Sequence, residues 1–154
     1  MFKSIFRLGL FFLFVSLLTI SCGTTRFTGE TVKYENVDSG QLSIKSGGYG
    51  VNQNVAVNNA IQNAFKNILI HGIPGTNQDT PLLGKNARIV YDENKTFLDN
   101  FIKTKSQEFI LDKKVEGFKF TNKNNPSTEV SMLINLNSLR TYLEQNGMIR
   151  SFGL

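Results

Sequence analysis

Cys22 is the residue whose chemistry can be inferred most directly from this sequence. It is the only cysteine among 154 residues, so it cannot form a disulfide within the chain. A short segment that is first cationic and then apolar precedes it, and small residues flank it, which is where a bacterial signal peptidase would cut. We therefore expect the Cys22 thiol to receive lipid and to tether the rest of the chain to a membrane.

Residues 1–21 have the composition of an export signal. Lys3 and Arg7 supply positive charge, and the apolar run at 8–20 is shorter than the about 20 residues that span a bilayer. The segment resembles a Gram-negative lipoprotein signal, although Thr19 stands three positions before the cysteine, where leucine is usual. An ordinary secretory signal, or an uncleaved anchor with a chance cysteine, is the alternative.

The residue after the cysteine bears on location. In lipoproteins of this type, Asp at that position favours the inner membrane, and this chain has Gly23. The resemblance therefore implies lipid anchoring at the periplasmic face of the outer membrane, with each buried acyl CH2 contributing about 0.8 kcal/mol. We expect residues 22–40 to form the lipidated N-terminus and a polar tether, and residues 41–154 to form one domain.

The remaining sequence has no pattern of side chains typical of catalysis, a cofactor or a metal site. His71 is the only histidine and has no cysteine or nearby carboxylate to work with, so we assign it to a helix end. The glycine-rich residues 47–50 lack a following phosphate-loop pattern, and we expect a strand-to-helix turn there. Without Lys3 and Arg7 the net charge is +5 − 2 = +3, which does not indicate nucleic-acid binding. We expect a non-enzymatic protein with no catalytic residue, cofactor, metal or nucleic-acid partner.

The elements around these residues follow from apolar periodicity. Residues 41–46 alternate as a strand, which the glycines at 47–50 are expected to break. A strong helical stripe follows, capped by Asn52 or Asn54 and ended by Gly72, with asparagines on its wet face. The apolar residues of the stripe are Val57, Ala60, Ile61, Ala64, Phe65 and Ile68.

A long loop at 73–85 is the candidate partner contact, since exposed apolar groups on a loop invite a partner. The residues that we expect to make this contact are Ile73, Pro74, Leu82 and Leu83. The alternative is that the two leucines cover the end of the sheet. Residues 87–91 then form a strand or lead into a second helix that Asp92 caps.

The last third of the chain predicts a hairpin and a helix. Two strands surround a turn at 123–127, with a bulge expected at Gly117, and Asn137 is expected to cap the final helix. The order β-α-α-β-β-α predicts an α+β fold in which helices cover one face of a small, mainly antiparallel sheet.

This order resembles the small periplasmic lipoproteins related to the N-terminal domain of flagellar assembly protein T. The resemblance is carried by glycines 48 and 50 around Tyr49, by alanines at four-residue spacing (Ala56, Ala60, Ala64), and by the hairpin and final helix. It covers about residues 41–146 and implies a structural or binding role in the envelope, with no defined site residues.

Two functions remain open from the sequence. The first is a lipid-anchored envelope protein that serves as a structural or protein-binding module, with the sheet edge and the 73–85 loop as its contacts. The second is a small-molecule or glycan-binding lipoprotein with a concave, partly apolar pocket between the sheet and that loop, where a few polar groups converge.

Overall fold

The computed structural model describes residues 32–33, 39–120 and 126–150. Cys22, the predicted signal at 1–21 and most of the predicted tether lie outside these residues. The described strands are β1 (Val32–Lys33), β2 (Gln41–Tyr49), β3 (Ile110–Phe120) and β4 (Pro126–Asn135). The helices are α1 (Gln53–Ile70), α2 (Ala87–Glu93), α3 (Lys95–Thr104) and α4 (Leu136–Gln145), and a 3-10 turn spans Ser106–Phe109.

The strands form an antiparallel sheet in the order β1-β2-β4-β3. Two residues of the predicted tether form β1, in which Val32 lies opposite Lys45. Helix α1 packs on β2 and β4. The predicted α+β class, with helices on one face of a small antiparallel sheet, is confirmed.

The core lies between α1 and the sheet because alternate residues of β2 and β4 point toward the helix. Leu42 lies opposite Ile134 and Ile44 opposite Met132, and all four are buried. Aromatic rings connect α3 to α4 at the edge of the core. The rings of Phe101 in α3 and Tyr142 in α4 stack with their centroids 5.3 Å apart. The buried residues of α1 are Ala56, Ala60, Ile61, Ala64, Phe65, Ile68 and Leu69, which confirms the predicted stripe except at half-buried Val57.

The prediction that glycines end the first strand at residue 46 is wrong. Strand β2 continues to Tyr49, and Gly48 faces α1 at a point where a Cβ atom would overlap the backbone of Ala56 and Ala60. The glycine is therefore needed for direct contact between helix and strand, which the small alanines of α1 complete. A glycine-rich stretch within a strand marks this close approach as readily as it marks a turn.

Two asparagines that were predicted to face water instead bind the strand. The side-chain amide of Asn59 donates to the carbonyl of Tyr49 at 2.6 Å, and that of Asn63 donates to the carbonyl of Gly47 at 3.0 Å. Residues 59 and 63 lie one turn apart on α1, and residues 47 and 49 lie two positions apart on β2. The two distances are similar, so each asparagine reaches one carbonyl on the same side of the strand. These bonds satisfy carbonyls at the end of β2.

The ends of α1 confirm the sequence prediction. Asn52 is the N-cap, and its side-chain oxygen accepts the N–H of Val55 at 3.0 Å. At the other end, the N–H of Gly72 donates to the carbonyl of Asn67 at 2.8 Å, as in helices that finish on a glycine.

Two predicted caps are wrong. Asp92 lies inside α2, and a break at Asn94 separates α2 from α3, so residues 87–91 form a helix rather than a strand. The amide of Asn94 donates to the carbonyl of Val90 and so satisfies the end of α2. Helix α4 is capped by Asn135, which accepts the N–H of Ser138 at 3.0 Å, and Asn137 lies inside the helix.

The predicted bulge at Gly117 is confirmed. The register of β3 with β4 shifts between Glu116 and Phe118, and Gly117 has φ +79°, a conformation that other residues rarely adopt. A second shift lies between Ile110 and Asp112.

Candidate functional site

The four residues predicted to form a partner contact do not form an exposed surface together. Ile73 is 2 % exposed, and Leu82 and Leu83 are each 6 % exposed, whereas Pro74 is exposed. The expectation of exposed leucines on the loop is therefore wrong, and all three aliphatic residues belong to the main core cluster.

The loop is drawn onto the core by the free carbonyls at the end of α1. The N–H of Leu82 donates to the carbonyl of Ile68 at 2.9 Å, and the N–H of Leu83 donates to that of Leu69 at 3.2 Å. The last carbonyls of a helix have no partner within the helix, so the loop supplies donors while its leucines cover apolar surface. The leucines therefore close the core beside the C-terminal end of α1.

A groove of about 720 Å³ opens beside these leucines. This volume lies within the range typical of small-molecule sites, about 300 to 1,000 Å³. Two distant stretches of the sequence build it: the end of the loop with α2, and α4 with the residues that follow it. The lining residues are Leu82, Leu83, Gly84, Lys85, Asn86, Val90, Arg140, Gly147, Met148, Ile149 and Arg150.

The residues after α4 form one wall of the groove. The chain turns at Gly147, whose N–H donates to the carbonyl of Glu144, and the N–H of Met148 donates to the carbonyl of Leu143. Met148 and Ile149 pack against the core and remain partly exposed. These two residues therefore hold the segment after α4 against the domain.

The charged groups among the described lining residues are all cationic. They are Lys85, Arg140 and Arg150, and no carboxylate lines the groove in the part of the chain that the structure describes. The Arg140 guanidinium donates to the side-chain oxygen of Gln78 at 3.2 Å. Gln78 is only 4 % exposed and is fixed in turn, because its amide donates to the carbonyl of Thr80 at 2.6 Å. A buried amide therefore orients one of the three cations.

A second polar cluster joins α2 and α3. The hydroxyl of Tyr91 donates to the Asp99 carboxylate at 2.6 Å, and the Lys95 ammonium lies 3.7 Å from the same carboxylate. Burial, with the neighbouring Asp99 charge, raises the pKa of Tyr91 well above its usual value. The hydrogen bond from Tyr91 lowers the pKa of Asp99. This cluster holds the two short helices together across the break at Asn94.

A third cluster lies on the sheet face that α1 does not cover. The Lys45 ammonium pairs with the Glu116 carboxylate, which also accepts the hydroxyl of Ser131 at 2.7 Å. The bond from Lys45, and then that from Ser131, lower the pKa of Glu116. One residue from each of three strands takes part, so the cluster fixes their relative positions.

Strand β3 is the edge of the sheet farthest from β1. Leu111 is 52 % exposed and Val115 is 39 % exposed, and Lys113 and Lys114 lie between them. Lysines and bulges at a sheet edge discourage the addition of another strand. The edge is therefore a less suitable contact surface than the groove.

The other residues considered from the sequence are not brought together. His71 is the exposed C-cap of α1, as expected, and its backbone N–H donates to the carbonyl of Asn67. In the ranges that the structure describes, no group of three or more His, Cys, Asp or Glu side chains is placed to hold a metal ion. None of the helices described here has both the length and the apolar character needed to cross a membrane.

Comparison of the chain with protein-family models, with curated proteins and with solved structures gives no match. The resemblance to the N-terminal domain of flagellar assembly protein T therefore stays a prediction from the sequence. The sequence predicted a pocket between the sheet and the loop, whereas the described lining of the groove comes from the loop, α2, α4 and the segment after α4 and includes no described residue of the sheet. The cationic residues 85, 140 and 150 are too far apart in the sequence to form a recognisable motif.

Proposed function

We propose that this chain is a non-enzymatic, lipid-anchored protein of the cell envelope that captures another envelope protein through the groove. The anchor is the Cys22 thiol, for which the support is the sequence alone. The observation that carries the binding role is the groove, where aliphatic side chains and three cations converge, one of them fixed by a hydrogen bond to Gln78.

A protein partner is favoured by apolar surface in the groove. Met148 and Ile149 line the groove and are half-buried, so each leaves part of its aliphatic surface exposed there. Interfaces commonly combine an apolar centre of this kind with a polar rim, which Lys85 and Arg150 would supply.

Tethering supplies the mechanism. Lipid on Cys22 would confine the domain to the layer beside the membrane, which raises its effective concentration for partners in that layer. A modest intrinsic affinity of the groove would then be enough for capture.

A small-molecule or glycan ligand is the second candidate. It is favoured by the concave shape of the groove and by its volume of about 720 Å³.

The test is affinity capture from solubilised membranes with two matched substitutions. Ile149→Asp places a charge in the groove, and Val51→Asp places the same charge at a valine that is 77 % exposed and not among the lining residues. We expect Ile149→Asp to lose the co-purifying protein and Val51→Asp to keep it. Aspartate at Leu82 or Leu83 is unsuitable, because burying a charge there would destabilise the core.

Two results would contradict the proposal. Equal capture by the wild type and Ile149→Asp, with both folded by circular dichroism, would exclude the groove as the contact. A Cys22→Ser form that stays in the membrane fraction as the wild type does would exclude the lipid anchor.

A further inference from the structure

We propose that the groove binds a fatty acid, with the carboxylate beside the cationic residues and the acyl chain along the aliphatic lining. The inference rests on the proposed function, since it gives a ligand class to the same groove. It depends on the chemical character of the lining residues and on how they are arranged.

Among the residues that the structure describes, the apolar part of the groove is aliphatic. It consists of Leu82, Leu83, Val90, Met148 and Ile149, and no aromatic residue is among the described lining. Flat ligands such as nucleobases are typically bound by stacking on aromatic rings, which this lining lacks. Flexible aliphatic side chains, Met148 above all, instead adapt to an irregular apolar chain.

The backbone around the groove argues against an extended peptide. Peptides that bind in extended form typically add a strand to a sheet edge. The described lining comes from a loop, two helices and the segment after α4, and no described residue of the sheet is among it. An acyl chain needs no backbone partner, so this lining suits it.

The charge of the lining selects an anion. Lys85 and Arg150 are exposed, and neither forms a salt bridge with any carboxylate in the part of the chain that the structure describes. Arg140 also lines the groove, and its guanidinium donates to the buried amide of Gln78. The guanidinium of Arg150 can bind a carboxylate with two parallel hydrogen bonds, which makes a fatty-acid headgroup a fitting partner.

The experiment uses the full chain in membranes and a photoreactive dodecanoic acid with a diazirine on its last carbon. We expect light to attach the probe to peptides that contain Val90 or Met148 and Ile149. Unlabelled fatty acids should compete, each added methylene improving competition about fourfold until the chain outgrows the groove. Dodecanol, which has the same chain without the charge, should compete at least about threefold less well.

A pair of double variants tests the cations. Lys85→Gln with Arg150→Gln removes two charges from the groove and should lower labelling at least about threefold. Lys113→Gln with Lys114→Gln removes the same charge from β3, outside the groove, and should leave labelling unchanged.

Labelling that spreads over the chain without favouring the groove would overturn the inference, as would equal competition by dodecanol. The outcome separates the two proposals. A groove that captures an envelope protein but takes no fatty acid keeps the proposed function and loses this ligand. If the groove is labelled but no envelope protein is captured, the fatty-acid ligand is supported and the proposed protein partner is excluded.

Discussion

Two buried serines of this domain differ in whether their hydroxyls are satisfied. Ser106 donates to the carbonyl of Ile102 at 2.6 Å. Ser46 is fully buried on the face of β2 that meets α1, and its hydroxyl has no hydrogen-bond partner among the described residues. An unsatisfied buried polar group costs stability, whereas a satisfied one contributes to it.

The same substitution should therefore have opposite effects at these two positions. We expect Ser46→Ala to raise the free energy of unfolding by about 1 kcal/mol, because an unpaired hydroxyl is removed from the core. Ser106→Ala should lower the free energy of unfolding by about 1 kcal/mol, because the carbonyl of Ile102 loses the hydrogen bond from the serine hydroxyl. Urea unfolding of the two variants checks both signs, and a destabilised Ser46→Ala would contradict the unsatisfied hydroxyl.

The hydrogen bond from Tyr91 to Asp99 can also be tested by removing one atom, the hydroxyl oxygen of the tyrosine. Tyr91→Phe should lower the free energy of unfolding at neutral pH by about 1 to 2 kcal/mol, because the bond is to a charged group. The pKa of Asp99 is lowered in the fold, so its contribution is present above about pH 4 and is lost as the pH falls through the folded pKa. The cost of Tyr91→Phe should therefore shrink in acid. A cost that is the same at pH about 7 and about 3 would argue against this linkage.

At the scale of elements, the packing of α1 on β2 depends on the absence of a side chain at position 48. Gly48→Ala should lower the free energy of unfolding by about 3 kcal/mol or more, because helix and strand must separate to admit the methyl group. Gly75→Ala is the control: residue 75 has φ +75° but open space around it, so only backbone strain of about 1 to 2 kcal/mol is expected. Thermal unfolding of the two variants compares these costs, and equal values would remove the close-approach argument.

The stability that the Lys45–Glu116–Ser131 cluster gives to its three strands should decrease in acid. The pKa of Glu116 is lowered in the fold, so its contribution is complete above the unfolded-state pKa of about 4.3 and is lost as the pH falls through the folded value. Glu116→Gln should therefore lose less stability than the wild type between neutral pH and about pH 3. Glu129→Gln, on the same face but 4.0 Å from Lys45, is the control. Urea midpoints across this range give the comparison, and parallel curves for wild type and Glu116→Gln would contradict it.

The elements also show what local sequence could and could not predict. The period of α1, its cap at Asn52 and the bulge at Gly117 depend on neighbouring residues, and all three were predicted correctly. The continuation of β2 past residue 46 and the burial of Leu82 depend on contacts with α1, and both were predicted wrongly. A glycine or a leucine in a loop-like sequence does not reveal which distant surface will meet it.

At the scale of the whole molecule, the same limit explains why the groove was missed. Its cations come from the loop, from α4 and from the segment after α4, so only the assembled fold brings Lys85, Arg140 and Arg150 to one surface. The sequence predicted a pocket between the sheet and the loop, a position that does not match the described lining of the groove. It could not indicate the buried Gln78 that links the loop to α4 through Arg140.

The pairing of Val32 with Lys45 has a consequence for how far the domain can stand from a bilayer. Val32 follows Cys22 by 32 − 22 = 10 residues, and a fully stretched chain of that length spans at most about 35 Å. If an acylated sulfur sits at the headgroups, the maximum length of the chain between Cys22 and Val32 is shorter than the thickness of the bilayer, which is about 40 to 45 Å. The β1 edge of the sheet would then lie within about 35 Å of the headgroups, and anything that the domain holds must be reachable from that distance.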